Sequence, residues 1–210
     1  MTFDNTILQK YSQALIMYEM AAHGVDPRMT LTGTTFRTDK LEGYKYSVFD
    51  NCRKKIREGP PYVEIIMDLL PGANLASYYQ KTAIQKTIDK KGSQAFEEGL
   101  MDLYEGQDDQ KAFEEIVAAI GGSFDVLGFF FFLKDCERYL PIRSRLFDER
   151  FSLLGFDSGL EGNCTWAKYL EYIRWIKEIQ GYLVKNINPH ISLLDAHSFV
   201  WILPYLEQYL

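Results

Sequence analysis

Histidine and cysteine are scarce in this sequence, three of each in 210 residues. Cys52, Cys136 and Cys164 form no CxxC pair, so neither a disulfide framework nor a zinc site can be read, and free thiols suit a reducing compartment. His23, His190 and His197 include no pair at metal-ligand spacing, which leaves no visible centre for metal-dependent or HNH nuclease chemistry. GxxxxGK and GxGxxG are both missing, which argues against the phosphate loops built on them. The longest apolar run, Val126 to Leu133, is eight residues and contains Gly128, against the roughly 20 that a membrane span needs. Met1 to Asn5 lack the basic region and cleavage site of a secretory signal, so the expected location is the cytoplasm, with no membrane partner. Strand-type alternation is nearly absent too, and the expected class is mainly α.

What is present is material for a large core. Apolar residues make up 47% of the chain, which excludes disorder as its main state. Leu8, Tyr11, Leu15, Tyr18 and Ala22 form a helical stripe ending at His23-Gly24, and residues 25–43 read as a linker with a short extended piece around Thr30 to Phe36. Residues 1–40 are therefore expected to be a helix and linker, and 41–210 a single globular domain of about nine or ten helices. Tyr44 to Arg57 is helical and stopped by Gly59-Pro60-Pro61; Tyr62 to Leu70 suits a short helix, although Tyr62 to Ile66 would also serve as a strand. Ala73 to Lys91 reads as one or two helices. Ser93 opens a helix closing at Gly106, the usual place for a left-handed cap, and Asp108-Asp109 open the next. Val126 to Leu133, apolar on every side, should be a central, enclosed helix. Ser144 and Thr165 cap two more, and Ser192 with Asp195 has capping-box spacing before a final helix that Pro204 kinks or breaks.

Charge is unevenly spread. The chain carries a formal −6, yet residues 36–91 hold eleven basic and seven acidic side chains while the rest is net −10. Nonspecific affinity for phosphate comes mostly from Lys and Arg, so the candidate nucleic-acid-binding residues are Arg53, Lys54, Lys55 and Arg57 together with Lys81, Lys86, Lys90 and Lys91. Tyr44, Tyr46, Tyr78 and Tyr79 would supply stacking surfaces, or else sit partly buried with wet hydroxyls. Lys134, Arg138 and Arg143 form a candidate anion site beside the helix start at Ser144; alternatively Lys134 offsets the preceding helix end and Arg138 pairs with Asp135 or Asp148.

The block Phe131-Phe132-Leu133-Lys134-Asp135-Cys136-Glu137-Arg138-Tyr139-Leu140-Pro141-Ile142-Arg143, with Phe147-Asp148 and Leu153-Leu154-Gly155 after it, resembles helical domains of bacterial restriction-type and phage-defence proteins. Met101 to Gly106, Gly162-Asn163-Cys164-Thr165-Trp166 with Tyr169, and Leu193 to Trp201 are similar to further blocks of that family in the same order. The resemblance spans about Tyr44 to Leu203 and implies a domain found near or fused to HNH-type nucleases, with no catalytic role or cofactor of its own.

The expected function is thus a non-catalytic recognition or regulatory module of a restriction or phage-defence system, with nucleic acid and a nuclease as candidate partners. One alternative is a small nuclease or other hydrolase using Asp135, Arg138, Asp195 and His197. Their plainer roles are structural: Asp195 and His197 are two apart and diverge on a helix, one a first-turn acid and the other a core histidine. A Cys164–His197 thiol pair has no local support. A second alternative is a protein-binding oligomerisation module. The 31 aromatic residues exceed what one such domain encloses beside its aliphatic residues, so the Leu8–Tyr18 stripe and the Trp201–Leu206 segment are expected to reach the surface and join copies into a homo-oligomer, unless both fold back onto one monomer.

Overall fold

The computed structural model describes residues 3–24, 26–28, 44–70 and 78–210. The expected extended piece at 30–36 and most of the linker lie outside the described residues, as do the side chains of Tyr44, Tyr46 and Tyr78. The class is mainly α: among the described residues there are ten α-helices and no strand. They are α1 (Asn5–His23), α2 (Tyr44–Ile56), α3 (Tyr62–Leu69), α4 (Tyr78–Lys91), α5 (Gln94–Glu105), α6 (Asp109–Ile120), α7 (Phe124–Lys134), α8 (Ser144–Leu153), α9 (Trp166–Asn186) and α10 (Leu193–Leu206), followed by a 3-10 turn at Glu207–Tyr209. Among the described residues no helix is long and apolar enough to cross a membrane. The chain divides into two compact units, one of Met1–Tyr46, Ser144–Glu161 and Glu171–Leu210, the other of Ser47–Arg143 and Gly162–Leu170.

The first unit is organised on α10. Its start is fixed by a capping box in which the Ser192 hydroxyl accepts the Asp195 N–H and the Asp195 carboxylate accepts the Ser192 N–H, as the spacing foretold. The helix then runs through Pro204 to Leu206 rather than breaking there. Leu193 to Val200 are all buried, so the segment needs cover on every side. Cover comes from α8 and from α1, whose Leu8, Tyr11, Leu15 and Tyr18 are buried. The expectation that the terminal apolar stretches stay exposed is corrected here, because each is the other's partner. Phe3 closes the arrangement, its N–H donating to Glu178 and its ring 6.0 Å from Phe151.

The second unit is organised on α7, where Phe124 and Val126 to Leu133 are all buried. Phe131 lies within about 6 Å, centroid to centroid, of Phe113, Tyr139, Trp166 and Tyr169. Gly128 lets the 140–142 segment cross the helix closely, since a Cβ there would stand 2.6 Å from a methyl carbon of Ile142. Gly106 does not adopt the left-handed cap expected of it: its φ is −82°. Glycine is required for a different reason, a Cβ at that point falling 2.4 Å from the Asp102 carbonyl oxygen. At the start of α3, Pro61 offers no side-chain cap, and Glu97 on α5 substitutes by accepting the N–H groups of Tyr62 and Val63 at 2.7 Å each.

Candidate functional site

The basic residues singled out in the sequence all fall in the second unit, and the structure divides them into groups. On α2, Arg53 turns inward and its Nη1 donates to the Leu133 carbonyl at 2.7 Å, capping the C-terminus of α7. Lys54 and Arg57 are exposed and make no ion pair among the described residues. Lys55 pairs with Asp68 of α3 at 2.7 Å, and both side chains are exposed. That hydrogen bond and charge, with a further contribution from Lys81, hold the Asp68 carboxyl below its ordinary range. The Lys55–Asp68 pair ties the C-terminal end of α2 to the end of α3.

Along α4 the lysines do not share a face. Lys81 and Lys86 are five residues apart, about 140° around a helix of 3.6 residues per turn, whereas Lys86 and Lys90 are a single turn apart and align. Lys86, Lys90 and Lys91 are exposed, and Ile84 is the buried anchor. Lys91 lines a groove against α5 and α6 whose other charged residues are Glu98, Asp102, Lys111 and Glu115. Tyr79, in the first turn of α4, is exposed.

The Lys134, Arg138, Arg143 cluster resolves into ion pairs with the protein's own carboxylates. Lys134 Nζ lies 2.5 Å from Asp109 Oδ1, and Arg138 Nη2 lies 3.1 Å from Asp109 Oδ2. The Tyr139 hydroxyl donates to the same carboxylate. Arg143 is 3.5 Å from Asp125. Burial acts to raise the Asp109 carboxyl, but the hydrogen bonds from Lys134 and Tyr139 and the charges of Lys134 and Arg138 outweigh it and hold the group below its ordinary range. The Arg138 partner is therefore Asp109, not Asp135 or Asp148. Asp135 instead accepts the N–H groups of Glu137 and Arg138, and Asp148 accepts those of Leu160 and Glu161.

The residues a hydrolase would use are occupied structurally. Asp195 is the cap described above, and His197 is buried with its ring 4.8 Å from Phe147. His197 Nδ1 is 3.0 Å from Lys45 Nζ, itself buried and 5.2 Å from the Trp201 ring centre. Sequence reading missed Lys45, although it heads the stripe Lys45, Phe49, Cys52, Ile56 at helical spacing, of which Cys52 and Ile56 are buried. Burial pushes the Cys164 thiol up to about 12, with the Asp125 charge adding to it, and burial with the Asp135 and Glu137 charges pushes Cys136 up to about 11. Neither is a thiolate near neutral pH. Among the described residues there is no group of three or more His, Cys, Asp or Glu side chains that could hold a metal. No protein-family model, curated protein or solved structure matches the chain.

Proposed function

We propose that this chain is a non-catalytic recognition module of a bacterial restriction-type defence system, acting in the cytoplasm with a nuclease partner and binding nucleic acid through the exposed cations of α2 and α4. The supporting observation is how the polar side chains are used. Asp135, Asp195 and His197 serve turns, a cap and a core contact, whereas Lys54, Arg57, Lys86 and Lys90 stand exposed with no ion pair among the described residues. Each phosphate neutralised contributes about −0.9 to the slope of log affinity against log salt. Engagement of these four cations predicts a slope of roughly −3 to −4 for duplex DNA, read by fluorescence anisotropy. Reversing Lys54, Lys55, Lys86 and Lys90 to Glu should abolish binding while leaving the circular dichroism spectrum intact. Binding that survives the reversal, or is flat between low and physiological salt, overturns this reading. Metal-dependent cleavage of DNA by the purified protein decides for the hydrolase.

Self-association is a second reading, supported by Met17 and Met20, both more than half exposed and close to one turn apart on α1. Sedimentation at micromolar concentration should then give a dimer that Met17→Glu with Met20→Glu converts to monomer. A wild-type monomer under those conditions overturns it.

A further inference from the structure

A concavity of about 350 Å³ opens in the second unit between the ends of four helices, lined by Arg53 of α2 and Arg57 in the turn after it, Tyr62 of α3, Tyr104 of α5, and Lys134 and Asp135 at the end of α7. Three cations face one carboxylate there, and that carboxylate spends Oδ1 on backbone N–H groups of its own turn. Lys134 is matched by Asp109. With Lys134 matched, Arg53 and Arg57, one helical turn apart, outnumber the Asp135 carboxylate by one charge. Arg53 is held in place by its bond to the Leu133 carbonyl and by the Phe49 ring 5.9 Å away, and its Nε is buried with no acceptor among the described residues. A buried N–H with no acceptor is uncommon in a folded protein. Arg57 is exposed and makes no ion pair among the described residues.

The opposite wall is aromatic. Tyr62 and Tyr104 are 5.1 Å apart between ring centres, and the Tyr62 hydroxyl donates to Glu105, so these rings are fixed rather than free to collapse into the space. Burial, then the Glu105 contact, pushes the Tyr62 hydroxyl up to about 12, which keeps its proton on that bond. The volume lies at the low end for small-molecule sites, too large for a bare phosphate and suited to a phosphate with one ring attached. Forked donors match phosphate oxygens two at a time, which a lysine cannot do.

We propose that this concavity binds a phosphate monoester of nucleotide size, with Arg53 and Arg57 on the phosphoryl oxygens and the Tyr62–Tyr104 pair against the base or sugar. Its two sources are a free mononucleotide and the 5′-terminal nucleotide of a strand. The inference deepens the nucleic-acid reading and shares Arg57 with it, but does not use the α4 lysines.

The test is an anisotropy comparison of one labelled single-stranded oligonucleotide with a 5′-phosphate or a 5′-hydroxyl, run beside thermal unfolding with inorganic phosphate or thymidine monophosphate. A terminal-phosphate site predicts at least tenfold tighter binding of the phosphorylated strand. Arg57→Ala should erase that preference, and Lys86→Glu with Lys90→Glu should weaken both strands equally while keeping it. A free-nucleotide site predicts a rise in melting temperature with thymidine monophosphate, smaller with inorganic phosphate and lost in Arg57→Ala, with no preference between strands. Equal affinity for the two strands together with no melting shift overturns the pocket while leaving the α4 surface standing. A preference or shift that persists in Arg57→Ala overturns it as well. Failure of both strands to bind removes the surface reading, and the melting shift then decides the pocket alone.

Discussion

Phe131→Ala is expected to lower the stability of the second unit by about 3–5 kcal/mol, the range for deleting a fully enclosed phenyl ring. The side chain has no exposed surface, and its ring neighbours come from three other parts of the chain: Phe113 on α6, Tyr139 in the turn after α7, and Trp166 with Tyr169 at the start of α9. Those neighbours are held by their own ties, such as the Tyr169 hydroxyl on the Leu140 carbonyl at 2.9 Å, so they cannot close the space the ring leaves. A loss of this size is a large part of the roughly 5–15 kcal/mol by which domains are stable. Met101→Ala, at a side chain more than a third exposed, should stay within about 0.5 kcal/mol. Urea unfolding followed by near-ultraviolet circular dichroism reads both. A Phe131→Ala midpoint indistinguishable from wild type would mean that the α7 aromatics do not hold the unit together.

That α7 is enclosed could be read from the sequence because nothing polar interrupts Val126 to Leu133, and a helix with no wet face has only one kind of place to go. The same pattern in α10 was harder to use. Periodicity says that a face is apolar, not which element covers it, and the cover for α10 includes a helix about 180 residues earlier in the chain. Lys45 shows the converse, a charged residue at the head of a buried stripe whose place depends on His197, 152 residues away. The candidate sites divide along the same line. Exposed cations could be picked out by composition, but their grouping could not: Lys55 is paired with Asp68 on the next helix, and Arg53 is turned inward by a carbonyl 80 residues on. The concavity beside Arg53 is made by four helix ends that no local spacing brings together.

Asp109 is the clearest case of a residue whose local role was visible and whose long-range role was not, and it gives a sharp expected result. Its position at the start of α6 suits the helix dipole. It also gathers Lys134, Arg138 and Tyr139 from 25, 29 and 30 residues away. Asp109→Asn keeps the shape and removes the charge. Lys134, with 16% of its side chain exposed, then keeps the Gly106 carbonyl and an amide oxygen as acceptors but no counter-charge. Breaking a largely buried pair from one side costs about 3–5 kcal/mol, and the residual contact and wet surface place this one near 3 kcal/mol at neutral pH. Adding Lys134→Met should recover most of that loss, since the penalty is the stranded cation and not the missing pair. The cost should also depend on pH in a definite direction. Because the folded carboxyl sits below its ordinary value, its contribution is complete above the unfolded value of about 3.9 and is lost as pH falls through the folded one. The gap between wild type and Asp109→Asn should therefore be constant from neutral pH down to about 5 and close at lower pH. Sulfate should stabilise the variant more than the wild type, since two cations once held by a carboxylate become open to an external anion. A gap that is flat through the acid range, or a sulfate effect equal in both proteins, would show that the Asp109 charge does not hold Lys134 and Arg138.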